Sequence, residues 1–465
     1  MTLIKSISGI RGTIGGKVNE NLTPIDIVKF ASAYGFWLLN ENKTAKEQPL
    51  KVVIGRDARI SGKMASSLVA NTLVGLGIDV VDLGLSTTPT VEIAVPLENA
   101  DGGIILTASH NPKQWNALKL LNHKGEFIND KQGKTILEIA EKDSYNFADV
   151  DNLGTYHKKP KYIKKHIDEV LKLDLVDVDA IKNANFKVVV DAVNSTGGIA
   201  IPALLEALDV TCVKLYCEPN GQFPHNPEPL PENLIEISKL VVQEEADLGI
   251  VVDPDVDRLA LVCEDGSMFG EEYTLVACAD YVLSKNAGNT ISNLSSSRAL
   301  ADITKKHGGK YFASAVGEVN VVKMMKDKNA VIGGEGNGGI IYPKSHYGRD
   351  SLVGVALFLS HLANQKVSCK TLRESYPQYF MSKNKIQLTP EINVEEILKS
   401  IQEKYKKEKI TTIDGVKIDF EKEWVHLRKS NTEPIIRIYT ESTSQEKADQ
   451  LANRMINEIK EIISA

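Results

Sequence analysis

Short runs of Val, Ile and Leu alternate along this chain with stretches of helical period, and that alternation restricts the possible folds more than any other feature. KVVIGRD (51–57) leads into SGKMASSLVANTLVGLG (61–77), and DVVDLGL (79–85) follows at once. Strand-length apolar runs separated by helical segments predict βαβ units built on buried parallel strands. The same grammar returns at KVVVDAVNSTGG (187–198), followed by IAIPALLEAL (199–208), and again at TISNLSSSRAL (290–300). The C-terminal part differs: a Lys/Glu-rich helix (394–408), strand-like runs at 415–420, 424–427 and 435–440, and an amphipathic terminal helix predict a smaller α+β domain. A charged helix-like stretch, 158–173, marks a boundary after the first unit. The Pro-rich segment 218–234 reads as an ordered loop. The expected domains are 1–157, 158–266, 267–376 and 377–465.

Composition excludes several classes of function. With 42% apolar and 25% charged residues the 465-residue chain is that of a globular protein rather than a disordered one. No segment approaches the roughly 20 apolar residues that cross a bilayer. The opening MTLIKSISGIRG has none of the regions of a signal peptide, so the expected location is the cytoplasm. A net charge of −6 argues against nucleic-acid and anionic-membrane surfaces. Any anionic ligand must therefore meet a locally basic site. The five cysteines form no C-x-x-C pair, so neither a disulfide framework nor a zinc site is expected.

Four segments carry candidate chemistry. TASHNP (107–112) follows the buried run GGIIL (102–106), which puts Ser109 and His110 on a turn beyond the end of a strand, where α/β proteins bind ligands. Such a hydroxyl suits a nucleophile or phosphate carrier, although a purely structural turn has the same pattern. DPDVDR (253–258) follows LGIVV (248–252). Its alternate carboxylates, Asp253, Asp255 and Asp257, form an oxygen-rich set suited to a hard cation such as Mg²⁺, and Arg258 could hold a phosphoryl oxygen. A solvated acidic loop is the other reading. An EF-hand is disfavoured, because Arg258 stands where its loop needs Gly at the sixth position. RKSNTEP (428–434) combines a guanidinium with hydroxyl and amide donors on an expected turn, which suits a phosphate monoester. GGEGNGG (333–339) offers Glu335 and Asn337 to sugar hydroxyls from a backbone that permits close approach; a flexible loop would look alike.

Together and in this order, SGIRG (8–12), GRDARISG (55–62), TASHNP, DPDVDR, GEGNG and RKSNTEP closely resemble the α-D-phosphohexomutase family, over essentially the whole chain. The resemblance implies an α/β fold of four domains around a central cleft, three of them repeated α/β domains with mixed sheets and the fourth a smaller α+β domain. It implies that Ser109 carries a phosphoryl group and that Ser109, Asp253, Asp255 and Asp257 hold Mg²⁺. Lys119 matches the family's general acid/base, Arg11 and Arg258 its active-site arginines, and His110 a positioning residue. Glu335 and Asn337 would bind sugar. Arg428, Ser430, Asn431, Thr432 and Arg437 would grip the phosphate that is not transferred.

The implied reaction interconverts hexose 1- and 6-phosphates through a hexose 1,6-bisphosphate that also serves as activator. Glucosamine phosphate is the lead substrate, with glucose or mannose phosphate as the alternative and a metal-dependent sugar phosphatase as a remote one. The implied partners are small sugar phosphates, with no nucleic acid and no membrane, for a monomer or homodimer. The loop ends Asn337-Gly338-Gly339 where some bacterial relatives have Ser-Gly-His, a departure that bears on substrate choice.

Overall fold

The computed structural model describes residues 2–6, 9–41, 49–388, 392–429 and 435–464. It divides into two compact units, Met1–Tyr281 with Asn337–Leu372, and Val282–Gly336 with Arg373–Ala465.

Two mixed sheets dominate the first unit. In the seven-stranded one, Gly102–Leu106 lies parallel to Lys51–Arg56, which pairs in parallel with Asp79–Leu85. Trp115–Leu121 and then Gly9–Thr13 add on antiparallel to the other side of Gly102–Leu106. The helices Pro24–Glu41 and Gly62–Gly75 pack over this sheet around a core that includes Phe30, Tyr34, Ile54, Leu73 and Ile104. In the four-stranded sheet, Leu248–Val252 runs parallel to Lys187–Asp191, itself parallel to Thr211–Leu215, while Leu259–Cys263 returns antiparallel. Every residue of Gly102–Leu106 and of Leu248–Val252 is buried, as expected for strands covered on both faces. The predicted 158–173 helix begins at Tyr162. Its first lysine belongs instead to the strand Tyr156–Lys158, which pairs with Asp79–Leu85 and is separated from the helix by Pro160.

In the second unit, Tyr311–Ser314, Asn289–Asn293 and Ala330–Glu335 lie side by side in parallel. The C-terminal part is a five-stranded antiparallel sheet in the order Phe380–Gln387, Ile435–Ser442, Trp424–Lys429, Val416–Asp419, Lys409–Thr411. Helices Val394–Lys404 and Gln445–Ser464 share its core with Ile418, Leu427, Ile436 and Met455. Among the described residues no helix is long and apolar enough to cross a membrane, and all five cysteines are free.

Candidate active site

The two motif loops leave the carboxyl ends of the two fully buried strands, and the chain brings them into contact. Ser109 Oγ donates to Asp253 Oδ2 at 2.7 Å. Ser109 has φ +48°, a left-handed conformation that costs an L-residue about 1–2 kcal/mol and persists only where the surroundings impose it. Those surroundings are the Thr107 hydroxyl, which accepts from Ser109 N at 3.0 Å, and the Arg59 guanidinium. Arg59 donates to the carbonyls of Ser109, Asn111, Pro112 and Trp115. Asp57 neutralises it at 3.0 Å and also accepts from the Thr107 hydroxyl at 2.7 Å. Both members of this pair are completely buried. The motif GRDARISG thus supplies the frame of the serine turn, a role that its sequence did not reveal.

The aspartate loop is constrained as firmly. Val256 also has positive φ (+66°), rare for a β-branched residue. Asp253 Oδ1 accepts from the N–H groups of Asp257 and Arg258, and the carbonyl of Pro254 accepts from Ser195 and Thr196. Asp255 Oδ2 accepts from Thr88 Oγ1 at 2.5 Å and from Lys119 Nζ at 2.7 Å. Asp257 Oδ2 accepts from Arg349 at 2.6 Å and lies 3.3 Å from Lys119 Nζ.

These three buried carboxylates present ligand atoms within 4.8 Å of one another. The second oxygens of Asp255 and Asp257 are buried with no hydrogen-bond partner. Orphaned buried carboxylate oxygens are costly unless something positive occupies the space between them, and an all-oxygen set is what a hard divalent cation takes. The residues therefore fit the ion that the motif implied.

Charge in the site is finely divided. Burial, then Asp255 and Asp257, push the Asp253 carboxyl well above the usual carboxylate range. Burial opposes ionisation of Asp257 too, but Arg349, Lys119 and Arg258 outweigh it and hold this carboxyl low. Lys119, on Trp115–Leu121, is held protonated: Asp255 and Asp257 override its desolvation. His110 is driven well below its ordinary value by burial, then by Arg258, so it is neutral beside the serine, with Nδ1 3.3 Å from Ser109 Oγ. Arg11, on Gly9–Thr13, is close enough to Arg258 and Asp255 to feel both charges.

Ser109, His110, Lys119, Arg11, Arg258 and the three aspartates thus form one cluster in the first unit. Asn337 lies in that unit as well, where its side chain accepts from Gly339 N at 3.2 Å. Glu335 belongs to the second unit, buried at the end of its strand and accepting from Asn293 and from Gly317 N. Arg428 corrects an expectation. It lies on the strand Trp424–Lys429 rather than on a turn, directly opposite Arg437 on Ile435–Ser442, and is 3.4 Å from Asp414. Ser430, Asn431 and Thr432 lie outside the described residues.

Besides Arg59, sequence reasoning missed Thr88, Glu228 and Arg349, each tied to a motif residue far away along the chain. Arg349 fits because position 339 is glycine: a Cβ there would stand 2.3 Å from Arg349 Cδ.

Four models of the phosphoglucomutase/phosphomannomutase family match in succession: α/β/α domain I over residues 4–147, domain II over 164–266, domain III over 270–379 and the C-terminal domain over 387–458. The chain belongs to this family. It is accordingly an intramolecular phosphotransferase of the isomerase class, a phosphohexomutase, with the four-domain α/β fold of that group. A phosphoglucomutase/phosphomannomutase of Thermococcus kodakarensis is 35% identical, covering 97% of this chain and 98% of its own. A phosphoglucosamine/phosphogalactosamine mutase of Sulfurisphaera tokodaii is 32% identical, covering 98% of both. Among solved structures, a phosphoglucomutase/phosphomannomutase family protein from Burkholderia thailandensis superposes with a TM-score of 0.84 at 25% identity, covering 99% of this chain and 98% of that one.

Proposed function

We propose that the enzyme interconverts the 1- and 6-phosphates of a hexosamine, glucosamine phosphate in the first place, with Ser109 as the phosphate carrier and a bound hexose 1,6-bisphosphate as the intermediate. The observation that carries this reading is the 2.7 Å contact between Ser109 Oγ and the carboxylate cage, two of whose oxygens are unpaired.

In the first half-reaction the bond between phosphorus and Ser109 Oγ breaks as a sugar hydroxyl bonds to that phosphorus; the protonated Lys119 supplies the proton that Ser109 Oγ takes up and recovers one from the attacking hydroxyl. In the second, the other phosphate of the bisphosphate returns to Ser109. Asp253, Asp255, Asp257 and the serine phosphate would hold Mg²⁺, which would supply Lewis-acid stabilisation of the charge on the transferring group. Lys119, ion-paired with Asp255 and Asp257, is the general acid/base, and the neutral His110 positions the Ser109 oxygen. Arg11 and Arg258 offset the phosphate charge. A bisphosphate carries roughly −3 to −4, so this concentration of cations is needed in a chain that is acidic overall. Glu335 and Asn337 contact sugar hydroxyls, and the segment from Arg428 through Ser430, Asn431 and Thr432 to Arg437 grips the second phosphate.

The Thermococcus relative favours a second reading, glucose or mannose phosphate as the preferred substrate. Coupled assays with glucosamine 6-phosphate, glucose 1-phosphate and mannose 1-phosphate, each with its bisphosphate, decide between them. The first is expected to give the highest kcat/KM, and a clear preference for either neutral sugar establishes the second reading. Ser109→Ala abolishes turnover on the mutase account; continued release of inorganic phosphate by that variant would instead indicate a phosphatase.

A further inference from the structure

The Pro-rich loop 218–234 does more than connect two elements, because it is fastened at several points and delivers one carboxylate to the serine. Gly221, with φ +75°, is pressed so closely on Ala58 that a Cβ would stand 2.2 Å from its carbonyl oxygen. The Phe223 ring lies under the Arg59 guanidinium at 5.1 Å. His225 bonds to the buried Asp191 at 3.0 Å, and Asn233 donates to the carbonyl of Glu228 at 2.8 Å. The loop so anchored places Glu228 Oε1 3.3 Å from Arg258 and 4.0 Å from His110 Nε2. One carboxylate oxygen thus stands beside Arg258 of the aspartate loop and beside His110, the neighbour of the serine. Arg258 keeps a buried Nε with no hydrogen-bond partner, so its donor set is only partly used.

We propose that Glu228 is a carboxylate latch that occupies the anion seat of Arg258 and His110 until a sugar phosphate displaces it. The inference rests on the reading of Arg258 as a phosphate-binding group with the neutral His110 beside it. A carboxylate and a phosphate monoester are both planar-edged oxyanions that bind a guanidinium through paired oxygens, so they compete for the same donors. Side by side on one arginine they repel, and the group with more contacts stays. A free phosphate gains only the donors at this seat, whereas a sugar phosphate brings its hydroxyls and second anchoring groups as well. Glu228 therefore acts through Arg258 as a specificity-determining residue against small anions. Its side chain is 34% exposed, so it can leave the seat without disturbing the core.

The test is calorimetric titration of the full-length protein with inorganic phosphate, alongside steady-state kinetics with its preferred sugar phosphate. Glu228→Gln and Glu228→Ala are both expected to bind phosphate about 3–5-fold more tightly than the wild type and to lower KM by a similar factor without raising kcat. Weaker or unchanged phosphate affinity in both variants, with wild-type unfolding midpoints, would overturn the latch and make Glu228 a simple prop for Arg258. Arg258→Gln separates this from failure of the underlying reading. That variant is expected to lose phosphate affinity, and wild-type affinity in it would remove the anion seat itself.

Discussion

At the scale of single residues, the placement of Ser109 depends on a neighbour, Arg59, that holds its turn from behind. A serine in the left-handed region stays there only if its carbonyl and N–H are both held, and Arg59 holds the carbonyl along with three others in the same turn. Lysine cannot reproduce that fork, since its ammonium is a point donor on a flexible stem. Arg59→Lys is therefore expected to lower kcat by about 100-fold with little change in KM, because it misplaces the hydroxyl without touching the sugar. Stopped-flow measurement of phosphoryl transfer reads this directly. That Ser109 and the three aspartates sit on loops just after buried strands was legible in the sequence, because each motif is local and follows an apolar run. Arg59, Glu228 and Arg349 were not assigned roles, since what matters about them is a partner 30 to 92 residues away. Spacing along a chain carries no signal for such a pair. The glycine at 339 was noticed as a missing histidine; only the packed structure shows that its absent Cβ makes room for a guanidinium.

At the scale of elements, the helices behind the cage are joined by buried charge. Asp350 caps the helix Ser351–Gln365 through Oδ1, and its Oδ2 accepts from His166, on Tyr162–Val170, and from His346. His166 reaches Thr90 at 2.9 Å, and His346 lies 3.3 Å from Glu92, both on the helix Thr88–Leu97. That helix begins with the threonine that holds Asp255, and Asp350 follows the arginine that holds Asp257. Burial alone would lower the His346 imidazolium, but hydrogen bonds to Asp350 and Glu92 raise it to about 10. A raised folded-state value stabilises the protein fully below the unfolded value of 6.5, and that stability is lost as pH rises toward 10. Urea unfolding of wild type and His346→Gln should therefore show a gap in stability that narrows by on the order of 3 kcal/mol across this window. A gap independent of pH would mean that the imidazole is not charged. Several strands were readable from their apolar runs, including the two buried ones that end at the site. Arg428 was assigned to a turn because RKSNTEP is rich in turn residues. The strand continues through it because WVHLRK pairs residue for residue with Ile435–Ser442.

At the scale of the whole molecule, an acidic chain assembles a site in which Arg11, Lys119, Arg258 and Arg349 surround three carboxylates. The overall charge argued against nucleic-acid and anionic-membrane surfaces, yet it could not show this local reversal, which depends on loops from separate sheets meeting. The four-domain family assignment was legible because its motifs occur together in order; substrate preference was not, since the residues that would distinguish sugars are few and scattered. What matters most is whether Ser109, and no other group in the cage, accepts the phosphoryl group in a reaction that needs a divalent ion. Intact-mass analysis of dephosphorylated wild type and Ser109→Ala after incubation with glucose 1,6-bisphosphate, with Mg²⁺ or with chelator, measures this directly. One phosphoryl group on the wild type, mapped to Ser109, greatly slowed by chelator and absent from the variant, is the predicted result. Equal phosphorylation of Ser109→Ala, or labelling mapped to Asp253, would contradict the account.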